Sequence, residues 1–398
     1  MGEANYVIRV HASVHGVDAA AWDALLAAQA QPSPFMRHAY LAAMEDSGSA
    51  SPNTGWAAHC ITLHRGDALQ AACMVYLKSH SYGEYVFDWA WASAYQQHGV
   101  TYYPKAVIAV PFTPVPGARL LARNAEARAA LLQAVVGWCE DVGASSLHTL
   151  FASDDDVQAS EAQDLMLRHT VQFHWKNTSA GYADFDVFLA SLAQDKRKKI
   201  RQERRKVAEA GVTFRHAQGT GISEADWNFF YRCYERTYLE HGNPPYLNRD
   251  FFARMARTMP ENWLLFIAER NGQPIASSLI AVSAYSTGAR GINDTEITRV
   301  AYGRYWGAVE PVDCLHFEAC YYQPLQWCIA NGYQRFEGGA QGEHKMARAL
   351  LPVKTTSTHW LAHPAFADAA ARFLEREGEG IGNYLDDLSQ RSPFKHRA

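Results

Sequence analysis

Phe336–Pro352 reads F-E-G-G-A-Q-G-E-H-K-M-A-R-A-L-L-P, with three glycines close together and then Glu343, His344, Lys345 and Arg348 in a short stretch. Glycine lets a backbone take positive φ or approach a ligand closely. Attack of an amine on a carbonyl needs an electrophilic carbon, a deprotonated nitrogen, and a cation or donor pair for the oxyanion that forms. Lys345 is the candidate cation. Glu337 or Glu343 would orient or deprotonate the amine, and His344 would relay a proton. Gln341 and Arg348 stand beside them as candidate substrate contacts. The same letters also fit an exposed turn with ordinary charges.

A second cluster is Lys78–Tyr95, K-S-H-S-Y-G-E-Y-V-F-D-W-A-W-A-S-A-Y. Tyr85, Phe87, Trp89 and Trp91 share one parity, so a strand would put all four on one face. That face is either an aromatic core or the wall of a cleft. Phenol and indole tips need partners, and carboxylates among them take shifted pKa values suited to acid–base work. His80, Tyr82, Glu84, Asp88, Trp89 and Trp91 are therefore expected as substrate contacts. Further on, Arg304-Tyr305-Trp306 ends a strand before Gly307, and His316 and Glu318 open the next helix. Residues two apart diverge on a helix, so only one of His316 and Glu318 faces a given site.

Lys196–Lys206, K-R-K-K-I-R-Q-E-R-R-K, holds eight basic residues and one acid, a net +7 in a chain whose total is −4. Ile200 and Val207 give it a thin apolar stripe. It fits a solvated helix linking two domains. It also fits a phosphate-binding helix, because a basic face in an otherwise acidic protein draws polyanions to one place. Lys196, Arg197, Lys198, Lys199, Arg201, Arg204 and Arg205 are then its contacts to RNA, a nucleotide-linked precursor or a pantetheine donor. Lys105–Arg119 runs from strand to loop to helix start, an order that cradles anions, but Pro111, Pro114 and Pro116 remove donors.

Other chemistry is disfavoured. No G-x-G-x-x-G or G-x-x-x-x-G-K-[ST] occurs, against dinucleotide and P-loop sites, and no G-x-S-x-G, against a serine hydrolase. His359 and His363 lack a clear third ligand, so no metal is expected. At 398 residues the chain suits two domains. With 48% hydrophobic and 20% charged residues, disorder is excluded as the main state. The net charge excludes a globally basic nucleic-acid coat. Seven scattered cysteines without C-x-x-C read as buried thiols of a reducing compartment. The N-terminus lacks the basic and apolar regions of a signal peptide, and no apolar run reaches the ~20 residues of a membrane span. A cytoplasmic protein is expected.

The elements that position these residues repeat. Cys60–Leu63 and Leu69–Leu77 read as a hairpin, as do Trp263–Ala268 and Ile275–Val282 around Asn271-Gly272. An aromatic-rich strand, a helix and another strand follow each. The helices, about Glu126–Val142 and Asp313–Asn331, end alike in W-C-x-x-x-G, and Ser146–Phe151 and Arg335–Gly338 follow as strands. This order predicts a duplication: domains over 1–183 and 211–398, joined by a basic linking helix over 184–210. Tyr285–Arg299 reads as an extended polar hairpin loop.

These motifs resemble the FemAB-like predicted N-acyltransferases, a bacterial family of the GNAT superfamily. The resemblance rests on K-S-H-S-Y-G-E-Y-V-F-D-W-A-W (78–91), P-F-T-P-V-P-G-A-R-L-L (111–121), R-K-K-I-R-Q-E-R (197–204), Y-G-R-Y-W-G (302–307), L-H-F-E-A-C-Y-Y-Q (315–323) and E-G-G-A-Q-G-E-H-K-M-A-R (337–348). It spans about Pro34 to Glu375. It implies an α/β (α+β) fold of two tandem GNAT-like domains, each a mixed, mostly antiparallel sheet flanked by helices. More distantly the chain is similar to Fem peptidyltransferases, which add amino acids from aminoacyl-tRNA to peptidoglycan precursors. That similarity implies that Lys345 stabilises the reacting carbonyl, although the usual Phe-Lys pair is His344-Lys345 here. GNAT enzymes grip CoA with a Gly-rich loop; the equivalent Glu310-Pro311-Val312-Asp313 carries two acids and no glycine and should repel a pyrophosphate. The expectation is an N-acyltransferase with no tightly bound cofactor, an acyl donor (aminoacyl-tRNA, acyl-CoA or an acyl carrier) as co-substrate, and a small or peptide-like amine as acceptor. tRNA would lie on the basic helix. The alternatives are a non-catalytic module recognising a cell-wall precursor or RNA, and an acyl-CoA or carrier-protein enzyme of secondary metabolism.

Overall fold

The computed structural model describes residues 6–287, 296–340 and 342–395. The chain divides into two compact units, Met1–Thr170 with Lys354–Tyr384, and Val171–Val353 with Leu385–Ala398. The expected boundaries at 183 and 210 both fall inside the second unit, and the basic segment belongs to it rather than standing between domains.

In chain order the first half runs β1 (Val7–His11), α1 (Ala19–Ala27), α2 (His38–Asp46), β2 (Trp56–Arg65), β3 (Ala68–Lys78), α3 (Trp89–Gln97), β4 (Lys105–Ile108), a short β5 (Leu121–Ala122), α4 (Ala125–Asp141), β6 (Ser146–Ala152), α5 (Asp154–Glu161) and β7 (Met166–Lys176). The second runs α6 (Phe185–Ser191), α7 (Gln194–Glu209), β8 (Val212–Gln218), α8 (Glu224–Glu240), α9 (Arg249–Thr258), β9 (Trp263–Arg270), β10 (Gln273–Thr287) and β11 (Glu296–Ala308). A three-part helix follows: α10 (Leu315–Phe317), a π turn (Glu318–Tyr322) and α11 (Gln323–Ala330). Then come β12 (Arg335–Ala340), a 3-10 turn (Glu343–Arg348), β13 (Leu351–Leu361) and α12 (Pro364–Gln390).

The duplication is written in the sheets. The first unit orders its strands β1-β2-β3-β4-β6-β13 and the second β8-β9-β10-β11-β12-β7. In each the one parallel pair, β4 with β6 or β11 with β12, flanks the helix, and the other neighbours are antiparallel. The halves exchange their last strands: β7, from the first half, closes the second sheet, and β13 closes the first. That exchange is why each unit is discontinuous in sequence.

Local signals explain the matching ends. Asn271 and Gly272 both take positive φ and make the two-residue turn between paired Arg270 and Gln273. Gly143 and Gly332 are left-handed. The next residues, Ala144 and Tyr333, donate to the carbonyls of Cys139 and Cys328 at 2.9 and 2.8 Å, closing both helices by one motif. Both cysteines are buried, in the first unit within a core of Ile61, Leu63, Val75, Ile108, Leu131 and Val135.

Two expectations change. The aromatic run 85–91 is not a strand. Left-handed Gly83 and Tyr85 break the chain after β3, and alanine-rich Trp89–Gln97 takes the helix its propensity favours. Trp91 and Tyr95, four apart, are its buried side, whereas Tyr82, Phe87 and Trp89 are exposed. Of Tyr285–Arg299, both ends belong to β10 and β11, which pair out to Thr287 and Glu296; residues 288–295 lie outside the described residues.

Candidate functional site

β11 and β12 pair only from Val300–Tyr302 to Arg335–Glu337. Beyond that register the strands part, and a pocket of about 130 Å³ opens, lined by Ser278, Arg304, Tyr305 and Trp306, by Phe336 and Gly338, and by His316, Cys320 and Tyr321 from the helix. The sequence shapes it at three points. A β-carbon on Gly303 would come within 3.0 Å of the Phe336 ring. One on Gly338 would meet the Leu350 side chain at 2.4 Å and the Phe173 carbonyl at 3.0 Å. Pro324 has no N–H for the Cys320 carbonyl and would clash with it in a regular helix. The helix widens there instead, with the Gln323 N–H bonded to Glu318. Such π turns recur at functional sites.

Lys345 lies against this pocket. Its Cδ would sit 3.4 Å from a β-carbon on Gly338, and its ammonium donates to the Gly339 carbonyl at 3.2 Å. The residue is 5% exposed. Burial pushes its pKa down to about 8, opposed by the nearby Cys320 thiol.

The other residues of the glycine-rich stretch go elsewhere. Glu337 is out of phase with Phe336 and Gly338, so it turns to the other face of β12, where Arg335 holds it at 2.9 Å. Burial there raises it to about 7, against the pull of Arg335. Glu343 is half-exposed and pairs with Arg391 at 3.1 Å. His344 places Nε2 3.3 Å from the Tyr321 hydroxyl. Arg348 is buried, binds both carboxylate oxygens of Glu203 at 3.0 and 2.9 Å, and lies 3.5 Å over the Phe317 ring. It anchors the turn to α7. Gln341 lies outside the described residues. His316 lines the pocket, while Glu318, two residues on, turns to Arg204 at 3.0 Å.

The basic run forms α7, with Ile200, Glu203 and Val207 as its buried stripe. Lys198, Lys199, Arg201 and Arg205 are exposed. Lys196 pairs with Asp195 at 3.0 Å, and Arg197 reaches the Ala190 carbonyl at 3.5 Å.

The first unit gathers charges the sequence showed only in part. Lys105 is fully buried and donates to Glu84 and Ser81 at 2.8 Å each and to Asp88. Tyr102 donates to Asp88 at 2.6 Å and contacts His148 Nε2 at 3.2 Å, and His148 meets His359 at 2.7 Å. Directly opposite Lys105 in register stands Lys78, buried 3.5 Å over the Trp56 ring. Burial lowers Lys78 to about 7 and raises Glu84 to about 7, each opposed by charges of the other sign. Glu84 and Asp88 thus neutralise a lysine inside the fold, and Trp91 packs edge-on against His359. Tyr82 and Trp89 stay at the surface with rings 5.3 Å apart, and His80 stands 5.3 Å from Tyr82. Lys105 was missed because it begins the apolar run K-A-V-I; a lysine in a wholly buried strand is the signal that was available.

The anion cradle is filled from within. Asp156 accepts from the backbone N–H of Arg119 at 2.7 Å and of Leu120 at 3.3 Å, and Arg119 bonds the carbonyls of Val115, Gly117 and Leu150. In the second unit, Glu310 pairs with Arg270 and Asp313 with Lys206. His359 and His363 do not converge on a site: His359 is buried with His148, and His363 packs on Phe366. Among the described residues no group of three or more His, Cys, Asp or Glu could hold a metal, and no helix is long and apolar enough to cross a membrane.

Comparison places the chain among known proteins. Among solved structures it is similar to FemX, with a TM-score of 0.52 at 11% identity over 89% of this chain and 98% of that one. L-PGS from Bacillus licheniformis gives 0.49 at 10% identity over 86% and 98%. A tandem GNAT protein from the clavulanic acid biosynthesis pathway gives 0.45 at 13% over 90% and 99%. No curated protein matches. The likeness to FemX is one of fold and agrees with the duplicated sheets. A family profile described as peptidoglycan biosynthesis/recognition matches residues 13–396. With that match over nearly its whole length, the chain belongs to the FemAB-like family.

Proposed function

We propose that the protein is an N-acyltransferase that forms an amide bond by moving an acyl or aminoacyl group onto an amine. The observation that carries this reading is the buried Lys345, whose stem packs against Gly338 and whose ammonium donates to the Gly339 carbonyl where β11 and β12 part. A cation in such a place stabilises the oxyanion of acyl transfer far better than one in water, because it is already oriented and poorly screened. Arg304 and Trp306 line the pocket that Gly338 borders and would position the reactants. The family's description directs the acceptor toward a peptidoglycan-precursor-like or other small amine. The exposed Lys198, Lys199, Arg201 and Arg205 of α7 would contact a phosphate-rich carrier.

Aminoacyl-tRNA is favoured over acyl-CoA as donor. Asp156 occupies the loop amides of the first unit, and the matching loop of the second carries Glu310 and Asp313. The first loop has its Arg119 and Leu120 amides taken, and the carboxylates of the second oppose a pyrophosphate's charge. Incubation of the protein and candidate amines with radiolabelled aminoacyl-tRNA or acyl-CoA pools tests this. Amide-linked label from the aminoacyl-tRNA pool alone is expected. Label from acyl-CoA alone would reassign the donor, and label from neither, with salt-sensitive RNA binding, would make the protein a binding module.

A further inference from the structure

An amine that attacks a carbonyl must shed a proton before the intermediate collapses to an amide, so a base is needed beside Lys345. The acids singled out from the sequence do not line the pocket. Glu337 is on the far face of β12 with Arg335, and Glu343 is half-exposed with Arg391. Among the polar groups that do line it, Arg304 is a cation, burial pushes the Cys320 thiol up to about 12, and burial raises the Tyr321 phenol as well. None of these accepts a proton at neutral pH. His316 remains. Its ring stands edge-on to Trp306 and Tyr321, with centroids 5.5 and 5.7 Å away, and no hydrogen bond engages either nitrogen among the described residues. Aromatic walls hold the ring in place and leave a nitrogen lone pair available.

Resting on the transferase reading above, we propose that His316 is the general base of the reaction, taking the proton of the attacking amine and returning it to the leaving group. The amine lone pair forms the C–N bond, the carbonyl π pair moves to oxygen beside the Lys345 ammonium, and the N–H proton passes to the imidazole. Collapse breaks the carbonyl's bond to the donor's ester oxygen or thioester sulfur. That atom leaves with its electron pair and takes the proton from the imidazolium. Amine and ester become amide and alcohol, or amine and thioester become amide and thiol. Burial and the neighbouring His344, Arg348 and Lys345 on the 3-10 turn hold the imidazole down to about 4, and Arg304 on β11 faces the same pocket. A neutral His316 and a charged Lys345 therefore coexist between about pH 4 and about pH 8.

The test is steady-state transfer by wild type, His316→Ala and His316→Gln, with melting temperatures measured alongside. Both variants should lose about 10²–10⁴-fold in kcat with little change in donor KM, the usual worth of a general base. Added imidazole should restore part of the His316→Ala rate, and the acid limb of the wild-type pH profile, near 4, should vanish in His316→Gln. Unchanged kcat, or a loss confined to KM that imidazole does not rescue, overturns this role while leaving the transferase reading intact. Wild type that transfers no label from either donor pool overturns both. If His316→Ala does not fold, His316→Gln, which keeps side-chain length and polarity, decides the matter.

Discussion

Lys345 keeps its charge at some expense, since burial disfavours an ammonium. Its pKa is lowered to about 8, so the charged form is present below that value and lost as pH rises through it. Transfer rates should therefore fall above about pH 8, a limb that a pH–rate profile measures and that Lys345→Arg should move upward or abolish. Lys105 shows the structural use of a buried lysine. Truncating it to Met would leave Glu84 and Asp88 buried without their cation, at a cost of about 3–5 kcal/mol readable by denaturant unfolding. The contrast marks what could be read from letters. Lys345 stood out because glycines precede it. Lys105 did not, because only the fold brings Glu84, Asp88 and Tyr102 onto it. Helical spacing correctly separates His316 from Glu318, and strand alternation, unapplied along β12, would have taken Glu337 away from the site.

At the scale of elements, the site depends on two strands that part and a helix that widens. The two hairpins, both W-C-x-x-x-G endings and the basic helix were legible because each rests on local signals: turn residues, a left-handed glycine, a run of like charge. The segment 85–91 was misread because alternating Trp and Ala mimics a period of two, while alanine propensity and the Trp91–Tyr95 spacing favour a helix. β11 also needs Gly307, where a β-carbon would lie 2.0 Å from the Cys233 carbonyl of α8 and 2.8 Å from Thr237 Oγ1. Backbone cannot yield as a side chain can. Gly307→Ala should cost about 1–3 kcal/mol by overpacking and weaken the bond from Thr237 to the Trp306 carbonyl. A melting temperature unchanged from wild type would show that α8 adjusts freely.

Across the whole chain, repeated order revealed the duplication, but the exchange of last strands left no trace in composition or spacing. Long-range pairing of β13 with β6 is a tertiary fact, and the boundaries expected at 183 and 210 missed it for that reason. The exchange has a consequence for fragments. Residues 1–183 lack β13, so β6 would present an unpaired edge, an aggregation hazard. The fragment should be insoluble or unfold without cooperativity when expressed alone, and recover on coexpression with 184–398. A monomeric 1–183 with a sharp thermal transition would contradict the exchanged sheets.

The amide-forming account is tested most directly by Lys345→Ala, assayed for transfer from the productive donor pool with its melting temperature measured in parallel. Removal of one oxyanion-stabilising donor is worth about 10²–10³ in kcat, and a loss of that size with a near-native melting temperature is the predicted result. Wild-type turnover by a folded Lys345→Ala protein would contradict the account, because the ammonium behind Gly338 would then take no part in the chemistry.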